Sequence, residues 1–330
     1  MNLTKRIIQS CNSNDDDKKL NIFMLHSNER YESYLAETGH NFFCPTLENS
    51  KWEKEISERP ENVYMLGPQC VNYQYLAALN FDIIIAQNRN QHWSVANQIS
   101  NLLQIPTILI ERYPPPSSKE YNEQEEAIKK ISADINVFDN IKCQKMWGFV
   151  NSTCIEDPIP RDVFKPDNSV EKENDLLTVI HNHDEDPRVN AIWDFMKQEF
   201  PSIKCFGNFK NISNPCNSAE DLAREYNNSK IYINTNVSSS AALREAMLCG
   251  CAVIGMNDDL NDIIEDGVNG YLCMDLLEMK QKTEILLENP DIAKDMGQKA
   301  IESMQNRCTV DIFKKAWNDI FNTIQKGITQ

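Results

Sequence analysis

The chain has 330 residues, 41% of them hydrophobic, and carries 49 Asp and Glu against 33 Lys and Arg for a formal net charge of −16. That length exceeds one core and calls for two domains of about 150 residues each. The acidic balance, with a pI near 4.8, argues against a broad basic field for nucleic acid or anionic lipid and leaves only a local basic patch open.

No run approaches the ~18 apolar residues of a membrane span. The apolar stretch in Met1–Ile8 is too short for a signal peptide. Eleven cysteines are scattered without a Cys-x-x-Cys pair, several inside apolar runs. That usage fits reduced thiols and a cytoplasmic protein better than a disulfide scaffold.

In chain order, residues 1–20 read as a polar lead-in that ends in Asn12–Lys19. Leu20–Leu25 is the first buried strand, followed by a helix over Arg30–Thr38 that Gly39 ends. Further strands are expected at Asn62–Leu66, Phe81–Ala86, Pro106–Ile110 and Ala133–Phe138, with a helix over His92–Leu103. Pro114–Pro116 marks a loop. Three prolines within Ile155–Pro166 mark a linker. The alternation then restarts, with strands at Leu176–Ile180, Ile203–Gly207 and Lys230–Asn234. Helices are expected over Arg188–Glu199 and Ser218–Tyr226, the latter capped by Ser218. Val310–Ile324 sets Ile312, Phe313, Ala316, Trp317, Ile320, Phe321 and Ile324 on one helical face. Near-continuous apolar strands alternating with helices imply parallel sheets covered on both faces.

The segment Ser238–Gly255 carries the most chemistry. Three serines lead into a short helix-forming stretch, Ala241–Leu248; Gly250 stops it, and Cys251–Gly255 continues as a buried strand. A helix entered from small polar residues offers free backbone N–H groups and a positive dipole end to an anion. Glu245 stands within two turns of that end. The plainer alternatives are a simple cap and an exposed helix carboxylate.

Asn234–Leu272, with Arg244-Glu245-Ala246-Met247, Ala252-Val253-Ile254-Gly255 and Ile263-Ile264-Glu265-Asp266-Gly267-Val268-Asn269-Gly270-Tyr271-Leu272, resembles the nucleotide-sugar-binding region of GT-B glycosyltransferases of the GT4 (group 1) kind. The linker, ending in Phe164-Lys165-Pro166, is similar to the GT-B crossover. The resemblance implies two Rossmann-like α/β domains whose parallel sheets face a central cleft, with the C-terminal helix returning to the first domain. The expected division is 1–20, 21–160 (acceptor side), 161–308 (nucleotide sugar) and 309–330 (returning helix).

The implied activity is metal-independent transfer of a hexose, or a similar sugar, from a nucleoside diphosphate sugar to an acceptor hydroxyl, with retention of anomeric configuration. The acceptor would be a glycan, a lipid-linked sugar or modified DNA. No cofactor beyond the donor substrate is implied. Two other readings stay open: a catalytically silent nucleotide-sugar-binding partner subunit, and sugar transfer to a modified DNA base, as some phage glycosyltransferases perform.

By the resemblance, Glu245 holds the ribose and is catalytic together with Arg188, and Asn236, Ser238, Ser239, Ser240, Ala241 and Leu243 bind the donor, with the Ser238–Ala241 N–H groups at its diphosphate. Gly207 and Phe209 follow a strand and are candidates to border the base, with covering the core as the plainer alternative for Phe209. Many members carry a second Glu eight positions before the first; here Val237 stands there. A departing diphosphate needs positive charge, and in the loop His181–Arg188 the only cation is Arg188. Arg244 is the possible substitute, with a solvated surface position as its simpler fate. His181, His183, Asp184 and Asp186 read as a polar turn, and no metal is assigned. Loops at strand carboxyl ends face the ligand crevice of open α/β sheets, which makes Asn28, Asn88, Arg89, Glu111 and Arg112 acceptor-side candidates. His92 opens a helix, and the loop His26–Arg30 lacks the glycine pair that cradles phosphate in some relatives. Neither a Walker loop nor a G-x-G-x-x-G after a strand is present, which weakens NTPase and dehydrogenase readings.

Overall fold

The computed structural model describes residues 19–45, 52, 58–67, 76, 79–89, 91–112, 115, 130–181, 187–208, 216, 218–236, 240–256 and 260–328. The chain divides into two compact units, one of residues 1–157 with 311–330 and the other of residues 158–310.

The first unit holds a seven-stranded parallel sheet. Its strands are β1 (Asn21–Met24), β2 (Asn41–Pro45), β3 (Val63–Leu66), β4 (Ile83–Ala86), β5 (Thr107–Glu111), β6 (Ile135–Phe138) and β7 (Ser152–Cys154), in the order β3-β2-β1-β4-β5-β6-β7. Alternation sorts their side chains onto two faces. Ile22 and Met24 of β1 and Ile83 and Ile85 of β4 pack in one core; Phe23, Ile84 and Ala86 pack in the other. Both faces are covered, so the strands need apolar residues throughout. Ahead of its C-terminal helix, the helices described in this unit are α1 (Glu29–Ala36), α2 (Gln91–Leu103) and α3 (Ile141–Trp147).

The second unit has a five-stranded parallel sheet in the order β12-β11-β10-β8-β9. These are β8 (Asn174–His181), β9 (Lys204–Asn208), β10 (Ser229–Asn234), β11 (Ala252–Met256) and β12 (Gly270–Cys273). The helices are α4 (Pro187–Glu199), α5 (Ala219–Asn227), α6 (Ala241–Leu248), α7 (Leu276–Glu288) and α8 (Pro290–Met304). Ser218 caps α5 by accepting the N–H of Asp221, as expected. Close approach fixes two glycines. A Cβ on Gly270 would lie 2.6 Å from Val253 Cγ2 and 2.8 Å from its carbonyl oxygen, and one on Gly297 would lie 2.3 Å from the carbonyl oxygen of Gly250. The second contact seats α8 against the turn that ends α6.

The last helix, α9 (Val310–Ile328), returns to the first unit. Phe313, Trp317, Ile320, Phe321 and Ile324 join the core formed by Ile22, Tyr31, Leu35 and Phe42. Ile312 does not join them: it is 51% exposed, because it sits about 100° of helix rotation from Phe313, beyond the edge of the stripe. β2, β7, β12, α3, α7 and α8 have no counterpart among the expected elements. No helix among the described residues is long and apolar enough to cross a membrane.

Candidate functional site

In the second unit, β9 lies on one side of β8 and β10 on the other, so the strand order reverses between β8 and β10. Open α/β sheets bind ligands beyond the carboxyl ends of the strands at such a reversal. β10 ends at Asn234, and the chain passes through Thr235 and Asn236 into α6. Ser240 caps α6: its Oγ accepts the N–H of Leu243 at 3.2 Å and a hydrogen from Asn236 Nδ2 at 3.5 Å. Asn234 Nδ2 donates to the Asn236 carbonyl at 2.7 Å. The first two N–H groups of α6, on Ala241 and Ala242, have no intrahelical acceptor and lie at the positive end of the helix dipole. Val237, Ser238 and Ser239 lie outside the described residues, as do Phe209 and the loop 182–186; the side chain of His181 is likewise not described.

Glu245 is not an exposed helix carboxylate. It is 4% exposed, and Tyr226 Oη donates to its Oε2 at 3.5 Å. Burial pushes the hydroxyls of Tyr226 and Tyr232 above the usual tyrosine range, and the nearby Glu245 charge adds to the shift. Arg244 departs from its expected solvated position. It is 2% exposed and its Nη1 lies 3.9 Å from Cys308 Sγ, which ties α6 to the end of the unit. Arg188 is exposed in the first turn of α4, directly after the loop that leaves β8. Gly207 lies near the carboxyl end of β9 with φ of +106°.

The second half of the motif is a turn organised by Asn269, which is 4% exposed. Its Oδ1 accepts the N–H of Glu265 at 2.7 Å, and its Nδ2 donates to the Ile263 carbonyl and to Ser303 Oγ. Asp266 Oδ1 accepts the N–H of Leu272. These residues shape the path between β11 and β12.

The first-unit candidates are drawn into structural bonds. Asn28 caps α1 by accepting the N–H of Tyr31 at 3.0 Å, and Asn88 Oδ1 accepts the N–H of His92 at 3.1 Å. Arg89 and Glu111 form a buried ion pair at 3.0 Å. The Arg89 guanidinium stacks on Trp147 and Phe149, at 4.2 and 4.7 Å from their ring centres, and its Nη1 donates to the Ile131 carbonyl. Burial lowers Arg89 to about 10, against the upward pull of Glu111. Arg112 lies over the Tyr31 ring at 4.5 Å and within 3.9 Å of Asp157.

Sequence reasoning missed Glu32. This residue is fully buried and accepts hydrogens from the N–H groups of Ser27 and Asn28 and from Gln87. It stands four residues after the cap, one later than a capping box would place it, so no motif flagged it.

Residues 191–312 match a family model described as glycosyl transferase-like. Among solved structures, the fold is similar to that of Anabaena HepE in complex with UDP-glucose, with a TM-score of 0.73 at 12% identity, covering 92% of this chain and 100% of that one. Sucrose-phosphate synthase from Thermosynechococcus elongatus gives a TM-score of 0.73 at 12% identity, covering 94% and 100%. A glycosyltransferase from Rickettsia africae gives 0.69 at 14% identity, covering 93% and 99%. No curated protein matches the chain by sequence. The chain thus has the GT-B fold of these glycosyltransferases, and its residues 191–312 are similar to a glycosyl transferase-like family.

Proposed function

We propose that this protein is a glycosyltransferase that moves a sugar from a nucleoside diphosphate sugar to an acceptor hydroxyl with retention of configuration. One observation carries the reading: α6 opens at the carboxyl end of β10, beside the strand reversal, with a capped N-terminus and the buried Glu245 behind it. The glycosyl transferase-like match over 191–312 and the complex of HepE with UDP-glucose support it. The N–H groups of Ala241 and Ala242, with Ser238, Ser239 and Ser240, hold the diphosphate. Asn236 and Leu243 fix the entry to the helix. Glu245 accepts the ribose hydroxyls, and Gly207 and Phe209 border the base. Arg188 stabilises charge on the departing diphosphate.

In the reaction, the bond from the anomeric carbon to the phosphate oxygen breaks and a bond to the acceptor oxygen forms on the same face. The acceptor proton passes to an oxygen of the leaving phosphate. The first unit supplies the acceptor side.

A thermal-shift screen of UDP, GDP and ADP sugars, followed by hydrolysis and transfer assays, tests the proposal. A ligand bound only by the folded chain raises its melting point. Stabilisation by one nucleotide class, with turnover of its sugar, is the expected result. Stabilisation without turnover under any acceptor would support the silent-binder reading instead.

A further inference from the structure

The first sheet reverses its order at β1 and β4: β2 and β3 lie on one side of β1, and β4 to β7 on the other. Loop Leu25–Asn28 leaves β1 here and enters α1. Two successive loop N–H groups ahead of a helix N-terminus make a concavity suited to an anion. In this chain an internal carboxylate fills it. Glu32 Oε1 accepts the N–H of Ser27 at 2.8 Å and of Asn28 at 3.2 Å. It also accepts Gln87 Nε2 at 2.7 Å, while Oε2 lies 2.7 Å from His26 Nδ1.

Two neighbours remain unsatisfied. Gln87 and His92 are 3% and 5% exposed, yet Gln87 Oε1 and His92 Nδ1 have no hydrogen-bond partner among the described residues. Burial lowers the pKa of the His92 ring to about 4, and among the described residues Glu32, His26 and Arg112 are the charged groups that act on it. The ring is therefore neutral near pH 7. A buried polar atom left unmet is costly, and a ligand hydroxyl can meet either one.

We propose that Glu32 takes the place of a ligand phosphate, so that the first unit recognises a neutral, hydroxyl-bearing acceptor through Gln87 Oε1 and His92 Nδ1. The word acceptor rests on the glycosyltransferase reading above; the occupancy of the loop by Glu32 does not. A phosphate brought to Ser27 and Asn28 would have to displace Glu32 and would meet its charge.

The test follows backbone amide resonances of the full chain during titration with inorganic phosphate. In the wild type, Ser27 and Asn28 stay unmoved. In Glu32→Ala, both move as phosphate enters the vacated loop. Movement in the wild type would overturn the proposal whether or not the variant folds. Unmoved amides in a folded Glu32→Ala would overturn it too. In transfer assays with free monosaccharides and their phosphomonoesters as acceptors, the neutral sugars are the better substrates, and preference for a phosphomonoester would contradict the assignment. Gln87→Ala raises the acceptor KM roughly tenfold with the donor KM unchanged; an unchanged acceptor KM would remove Gln87 from the site. Failure of UDP to move the Ala241 and Ala242 amides would count against the donor site alone and leave the Glu32 result standing.

Discussion

The two units end their central strands differently. In the first, the polar groups beyond β1, β4 and β5 bond to one another: Glu32 fills its own loop, and Arg89, lying over the rings of Trp147 and Phe149, pairs with Glu111. In the second, the chain beyond β10 closes on a cap and leaves the first N–H groups of α6 without an intrahelical acceptor. The same topology thus yields one end that is internally neutralised and one that the proposed function assigns to an anion. A strand's carboxyl end marks where a ligand can sit; which side chains already fill the space decides what kind.

The largest test of this contrast is Arg89→Ala, which leaves Glu111 buried without its cation. It should cost about 3–5 kcal/mol, read as a lower urea midpoint. A loss under ~1 kcal/mol would show that the pair is solvated as a surface bridge is.

Acid titration comes next. The folded pKa of His92 is about 4, below its ordinary 6.5, and His40 is lowered to about 4 by burial as well. Between these values the unfolded chain binds protons that the folded chain refuses. Stability from these groups is full above pH ~6.5, falls as pH drops toward ~4, and levels off below, with at most about 3 kcal/mol from His92. Melting curves across that range measure it, and His92→Asn should flatten the slope. A slope unaltered in that variant would place His92 in contact with water.

Two smaller effects concern the second unit's frame. Gly297→Ala forces a Cβ onto the Gly250 carbonyl and should cost about 1–3 kcal/mol by overpacking. Asn269→Ala breaks the turn between β11 and β12 and should cost a similar ~1–3 kcal/mol by stranding buried polar groups. Both are read by thermal melts. If UDP affinity is measured alongside, it should change less than stability does, since neither residue belongs to the proposed donor contacts.

Much of the second unit was legible in the sequence because its signals are local. Ser218 and Ser240 cap the helices they precede, and Ile231-Tyr232-Ile233 alternates between two covered faces. The first unit hid its polar cluster because burial of charge is a tertiary property. Nothing local distinguishes Glu32 from the exposed Glu37, and the slot for Arg89 exists only once α3 brings Trp147 beside Phe149. Arg244 misled for the same reason: its surroundings come from Cys308, more than sixty residues away. Ile312 was misplaced because the apolar stripe on α9 is narrower than its count of apolar residues implies.

The central claim is that the open end of the second unit holds a nucleoside diphosphate with Glu245 on the ribose. Calorimetric titration of UDP into the wild type and into Glu245→Gln tests it most directly. The account predicts binding by the wild type and a loss of roughly 10- to 100-fold in a variant that still melts cooperatively, the scale of charged hydrogen bonds to hydroxyls. A folded Glu245→Gln that binds UDP within about twofold of the wild type would contradict the ribose assignment.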